Sequence, residues 1–167
     1  MSSPELPSAP LSVGDRAPSF ALKNQYGEVV SLADFAGKKH VVLVFYPFAF
    51  SGICTGELRA IRDGLENFEG ADIQVLSISC DSMYSLRAWA DAEALFFPLL
   101  SDFWPHGDVA KAYGVFSQDK GFAIRGTFLV DADGLIRWTL VHGPGEARDF
   151  SGYARALTDL RRETAAV

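Results

Sequence analysis

The stretch HVVLVFYPFAFSGICTGELRAIRDGLENF, His40 to Phe68, decides how the rest of the chain is read. Its first seven residues are β-branched, aliphatic or aromatic and show no polar alternation, the signature of a central strand covered on both faces. Pro47 ends that strand. After a short loop, Leu58, Ile61, Leu65 and Phe68 recur at spacings of 3, 4 and 3, which predicts one apolar stripe along a helix ending near Gly70. Cys54 lies just ahead of the stripe, so a buried strand hands a thiol to the start of an amphipathic helix. The first-turn N–H groups there lack internal partners and carry partial positive charge, which favours a thiolate over a thiol.

Downstream the pattern repeats as strand and helix. Ile73 to Ser79 reads as the next strand, and Asp81 or Ser82 caps a helix with Leu86, Trp89 and Ala90 on one side. Phe97 to Leu100 is a short strand, followed by a loop through Trp104-Pro105-His106-Gly107 and a short helix around Val109 to Tyr113. Thr127 to Val130 and Leu135 to Val141 flank Asp131-Ala132-Asp133-Gly134, a strong hairpin signal. Phe150, Tyr153, Leu157 and Leu160 form a last helical stripe that covers one face of the sheet. Upstream, Phe20 to Leu22 and Val29 to Leu32 flank a turn at Asn24 to Gly27, a peripheral hairpin serving as lid or edge. The class is α/β.

The 167 residues suit one domain, expected over 13–163, between a mobile tail at 1–12 and a short tail at 164–167. With 21 acidic against 15 basic side chains, the net charge of −6 argues against a nucleic-acid surface, which needs clustered Lys and Arg. The longest apolar run, Val41 to Phe50, is too short to cross a bilayer. Met1 to Ser12 holds three prolines, a glutamate and no basic residue, so it lacks the features of a secretory signal and a cytoplasmic location is expected. Cys54 and Cys80 are 26 residues apart, which excludes a CxxC pair and a disulfide-rich scaffold. His40, His106 and His142 show no metal-ligand spacing, and no metal or organic cofactor is expected.

Pro47, Ser51 and Cys54 stand at relative positions 1, 5 and 8, and Glu57 follows three residues after the cysteine. This resembles the peroxiredoxin active-site motif PxxxTxxC, with serine in place of the usual threonine. Arg125-Gly126-Thr127-Phe128 resembles the family segment that brings an arginine to the thiolate. The likeness runs from about Val13 to Leu160, and the FAFSGIC segment, Leu100 to Gly107 and Pro144-Gly145-Glu146 are most similar to the AhpE-type one-cysteine peroxiredoxins of actinobacteria. The resemblance implies a thioredoxin-like fold with a central mixed sheet, flanking helices and an N-terminal hairpin. It also implies reduction of hydrogen peroxide, organic hydroperoxides and peroxynitrite through a Cys54 sulfenic acid. Arg125, the Ser51 hydroxyl and the Cys54 backbone N–H would then hold the peroxide. Glu57 would orient Arg125, and Pro47 would shield the sulfur.

Each of these residues also has a plain structural reading. Ser51 is a good N-cap, Glu57 a first-turn acid complementing the helix dipole, and Arg125 a solvated loop cation. Serine lacks the threonine methyl that restricts the rotamer but keeps the hydroxyl. Cys80, just past a strand, reads as buried packing. It stands neither five residues after Cys54 nor at the C-terminus, where the family commonly carries a resolving thiol. The resemblance therefore implies a one-cysteine cycle closed by an external thiol, either mycoredoxin with mycothiol or a thioredoxin-like protein, and a homodimer with the active-site loop near its interface. Phe48, Phe50, Trp104, Phe116 and Phe122 read as core or interface aromatics, and Gly143-Pro144-Gly145 as a turn. The rival function is a peroxide sensor or holdase of the same fold, oxidised at Cys54 without significant turnover.

Overall fold

The computed structural model describes residues 6–142 and 148–166. Thirteen helices and strands follow in chain order among them: β1 (Ala21–Lys23), β2 (Val29–Ser31), β3 (His40–Phe45), α1 (Gly52–Asp63), β4 (Ile73–Ser79), α2 (Met83–Glu93), β5 (Leu99–Ser101), α3 (Asp108–Ala112), β6 (Phe116–Ser117), β7 (Phe122–Ala123), β8 (Arg125–Val130), β9 (Ile136–His142) and α4 (Ser151–Ala165). Seven strands form one sheet in the order β2-β1-β5-β4-β3-β8-β9, and β6 pairs with β7 apart from it. β3 runs parallel to β4 and antiparallel to β8, so the sheet is mixed. The N-terminal hairpin occupies an edge.

All six residues of β3 are buried because each face of the sheet carries its own core. Val42, Val44 and Tyr46 point to the side covered by α1, α2 and α4, where Leu58, Ile61, Trp89, Tyr153 and Leu157 meet them. Val41, Leu43 and Phe45 point the other way, to Phe128, Ile78 and Tyr113. This placement accounts for the missing polar alternation in the sequence. At roughly 25 cal/mol per Å² of apolar surface, two such cores are the main stabilising contribution.

The β8–β9 hairpin closes as its turn residues require. Asp131 Oδ1 accepts the N–H groups of Asp133 and Leu135 at 3.0 Å each, and Gly134 takes φ +88°, a left-handed conformation that glycine adopts without cost. Several boundaries differ from the sequence reading. The stripe through Leu58, Ile61, Leu65 and Phe68 does not lie on one helix: Gly64 closes α1, and Leu65–Asn67 continue as a 3₁₀ turn that still buries Phe68. The strand expected at Phe97 to Leu100 begins at Leu99, since Pro98 has no N–H to give and its carbonyl accepts from Ser77. The β6–β7 hairpin was not foreseen; its strands are two residues each and too short for a periodic signal. α4 continues to Ala165, into the segment read as a tail from 164.

Within the segment read as an N-terminal tail, the Leu11 N–H donates to the Tyr113 carbonyl at 3.2 Å, and Ala9 passes so close to Gly114 that a Cβ there would sit 2.1 Å from its carbonyl oxygen. The expected turn at Gly143 to Gly145 and the similarity at Pro144 to Glu146 lie outside the described residues.

The topology fixes where chemistry can gather. β3 and β4 end at the sheet edge where antiparallel β8 begins, with Phe45 opposite both Ile78 and Gly126. The loop after β3, the residues after β4 and the first residue of β8 therefore share that edge.

Candidate active site

β3 delivers Tyr46 and Pro47, both buried, into a loop that turns at Phe50 and reaches Ser51 in extended geometry, with φ −69° and ψ 148°. Ser51 takes the N-cap position of α1, but its hydroxyl caps no backbone N–H. The first intrahelical bond runs from the Thr55 N–H to the Ser51 carbonyl at 2.9 Å. Cys54, third residue of the helix, thus presents its N–H ahead of the helix's own bonding pattern. Its thiol has no solvent-exposed surface.

Arg125 opens β8 on the same sheet face as Thr127 and Leu129, the face that α1 covers, and is almost wholly buried. Its Nη2 donates to Cys54 Sγ at 3.4 Å, and its Nη1 forms an ion pair with Glu57 Oε1. Glu57 lies one turn after Cys54, which puts both side chains on one helix face. The fold thus brings Cys54, Glu57 and Arg125 together. Pro47 lies at the base of the loop.

Sequence reasoning missed Arg148. The second oxygen of Glu57 accepts both the backbone N–H of Arg148, at 2.9 Å, and its Nε, at 3.1 Å. Arg148 Nη1 reaches Thr127 Oγ1 at 2.9 Å and the Gly126 carbonyl at 3.2 Å, while Nη2 donates to the carbonyl of Phe45. Burial lowers this guanidinium to about 10, partly opposed by Glu57, so it stays charged at neutral pH. A lone arginine between Glu146 and the last helical stripe carries no periodic signal. The only hint was that a carboxylate with two oxygens would not be saturated by one arginine.

Glu57 thus joins two buried guanidiniums, one through each carboxylate oxygen, and Arg125 also points a nitrogen at Cys54 Sγ. Around the entrance, Phe48 and Phe50 are about half exposed and Ile53 is exposed too. Phe48 rests on Phe122 at 4.8 Å and Phe50 on Trp89 at 6.2 Å. Phe48, Phe50 and Trp104 are thus surface aromatics rather than core, because the loops that bear them leave the sheet edge.

Cys80, at the end of β4, is also buried and free. Burial, with Asp102 nearby, pushes its thiol up to about 12. Among the described residues no cluster of His, Cys, Asp or Glu is arranged to hold a metal ion, and no helix is long and apolar enough to cross a membrane.

Residues 13–139 match the AhpC/TSA family. The chain is 48% identical over 150 residues to alkyl hydroperoxide reductase E of Mycobacterium bovis, covering 90% of this chain and 98% of that one. The Mycobacterium tuberculosis protein of the same name matches with the same identity and coverage. Among solved structures, the reduced 2-Cys peroxiredoxin of Plasmodium vivax superposes with a TM-score of 0.82 at 28% identity, covering 93% of this chain and 85% of that one. AhpC of Enterococcus faecalis superposes with a TM-score of 0.81 at 28% identity, covering 92% and 94%.

Proposed function

Since the chain belongs to the AhpC/TSA family of peroxiredoxins and is a thiol-dependent peroxidase, we propose that it works through Cys54 alone, in a one-cysteine cycle. The observation that carries this reading is the bond from Arg125 Nη2 to Cys54 Sγ at 3.4 Å. The only other thiol, Cys80, is buried and lies among carboxylates.

The Cys54 thiolate attacks the distal oxygen of a hydroperoxide in line with the O–O bond. The S–O bond forms as the O–O bond breaks, the departing oxygen takes up a proton, and the products are Cys54 sulfenic acid and an alcohol, or water from hydrogen peroxide. Charge develops on the departing oxygen, and preorganised donors lower that barrier. Arg125 supplies permanently charged N–H groups, held at one end by Glu57. The Cys54 N–H supplies a donor free of helix bonding, and the Ser51 hydroxyl, not used in capping, is left to meet the peroxide. Pro47 shapes the base of the loop and keeps bulk water from the sulfur. Arg148 fixes the far oxygen of Glu57 and so stiffens Arg125 indirectly.

Alkyl hydroperoxides join hydrogen peroxide in the substrate class, as the name of the mycobacterial relatives suggests; peroxynitrite is a further substrate of the same chemistry. An external thiol, from mycoredoxin with mycothiol or a thioredoxin-like protein, then attacks the sulfenic sulfur. Such reductants are maintained in the cytoplasm, where we place the reaction. A homodimer with the exposed aromatic loop near its interface completes the reading.

Intact-mass analysis after one equivalent of peroxide tests the cycle. The expected product gains one oxygen at Cys54 and returns to its starting mass when a thiol reductant is added. A Cys54–Cys80 disulfide, seen as loss of two hydrogens, would overturn the one-cysteine cycle. Oxidation at an ordinary thiol rate, with no turnover under any supplied reductant, would instead favour a sensor.

A further inference from the structure

The loop that brings Cys54 into α1 is strained at one residue and tethered at the residue before it. Phe50 has φ +70°, in the left-handed region, which a bulky side chain rarely adopts and keeps only if its surroundings impose it. Its ring does not impose it, being 58% exposed and touching Trp89 from one side. The constraint comes through Ala49, whose N–H donates to Asp81 Oδ2 at 2.8 Å. The same oxygen accepts the Ser79 hydroxyl at 2.7 Å, and the Asp81 carbonyl accepts the Ser101 hydroxyl at 2.6 Å. β4 and β5 thus fix the carboxylate before it meets the loop. A second tie from the same side runs from Trp89 Nε1 to Thr55 Oγ1 at 3.3 Å, one residue past the cysteine.

We propose that Asp81 is a positioning residue for the peroxidase reaction: by clamping Ala49 it keeps Phe50 turned and so sets Ser51 and the first turn of α1, on which Cys54 sits. It touches neither the sulfur nor the peroxide. Released from Asp81, Phe50 relaxes toward negative φ, and the Ser51 hydroxyl and the Cys54 N–H shift away from the places where they meet a peroxide. Arg125, held by Glu57 on another part of the site, stays where it is. The consequence is a misaligned reaction at an intact sulfur. The inference rests on Cys54 being the peroxide-reacting thiol.

The test compares two electrophiles on the full chain. Hydrogen peroxide needs both its oxygens held, whereas iodoacetamide needs only the sulfur. In Asp81→Ala, Cys54 oxidation by hydrogen peroxide should slow by about tenfold to a hundredfold, the scale of a displacement near 1 Å, with alkylation changing by less than about threefold. Asp81→Asn keeps an acceptor oxygen for Ala49 and should restore the peroxide rate to within about threefold. If Asp81→Ala does not fold, Ser79→Ala frees the carboxylate from its other side and should show the same split at smaller size. A wild-type peroxide rate in the variant, equal losses in both reactions, or no rescue by asparagine would overturn the proposal. If the wild-type protein itself shows no oxidation of Cys54, it is the one-cysteine reading that falls.

Discussion

Cys54 and Cys80 are alike in burial and differ in company. Both are free thiols with almost no accessible surface, and both lie near the sheet edge where β3 and β4 end. Cys54 sits in the first turn of a helix with a guanidinium nitrogen 3.4 Å from its sulfur. Cys80 sits after a strand with Asp102 and Asp81 as its acidic neighbours, partly offset by Lys111. Both are buried, so burial does not distinguish a nucleophile from a packing residue. What distinguishes them is whether the protein has already installed the counter-charge. At Cys54 it has, and it holds that cation with a carboxylate whose other oxygen a second arginine fixes, rather than leaving it to solvent.

The hardest test of this contrast is to delete each sulfur's chemistry in turn. Cys54→Ser should abolish hydroperoxide reduction, while Cys80→Ser should keep it within about threefold, because a hydroxyl is a far weaker nucleophile and the proposed one-cysteine cycle gives Cys80 no part. Peroxide consumption with a thiol reductant present measures both. Activity surviving in the first variant, or vanishing in a folded second one, would break the contrast.

The next test leaves the sulfur and removes its cation. Arg125→Met keeps a long side chain on β8 but no donor, and should cut the second-order rate of Cys54 with peroxide by about a hundredfold to a thousandfold, the range for losing one preorganised donor. Stopped-flow oxidation at saturating reductant reads this directly. The variant leaves Glu57 paired with Arg148 only, so urea unfolding should be followed alongside to separate lost chemistry from lost fold.

The same contrast explains what was legible beforehand. Strand β3, the Asp131-Ala132-Asp133-Gly134 hairpin and the α4 stripe could be read because local pattern and tertiary environment agree there. Cys54, Glu57 and Arg125 could be named only from the resemblance to the peroxiredoxin motif, and the helix face and sheet register bring them together. Arg148 and Asp81 could not. Each acts through a bond to a residue far along the chain, Glu57 in one case and the Ala49 N–H in the other, and such pairings leave no periodic trace. The early end of α1 escaped for a related reason: Leu65 and Phe68 still pack against the core, so the apolar spacing persists after Gly64 has stopped the helix.

The smallest expected effect concerns Cys80 alone and sharpens the claim that its surroundings hold it neutral. Its thiol is pushed up to about 12 in the folded protein, whereas an unfolded cysteine titrates near about 8.5. Between these values the unfolded chain has released a proton that the native state keeps. The unfolded state then binds fewer protons, and the free energy of unfolding must fall as pH rises. With allowance for solvent screening, this loss amounts to about 1 kcal/mol by pH 10. Tyr46, Tyr113 and Tyr153, also pushed up by burial, add losses of the same sign. They do so equally in wild type and in Cys80→Ala, so only the difference between the two isolates the thiol. Urea unfolding at pH 8 and pH 10 under reducing conditions should therefore show Cys80→Ala losing about 1 kcal/mol less than wild type. An equal loss in both would mean that Cys80 ionises as readily in the native state as in the unfolded one, and that its carboxylate neighbours do not hold it in reserve.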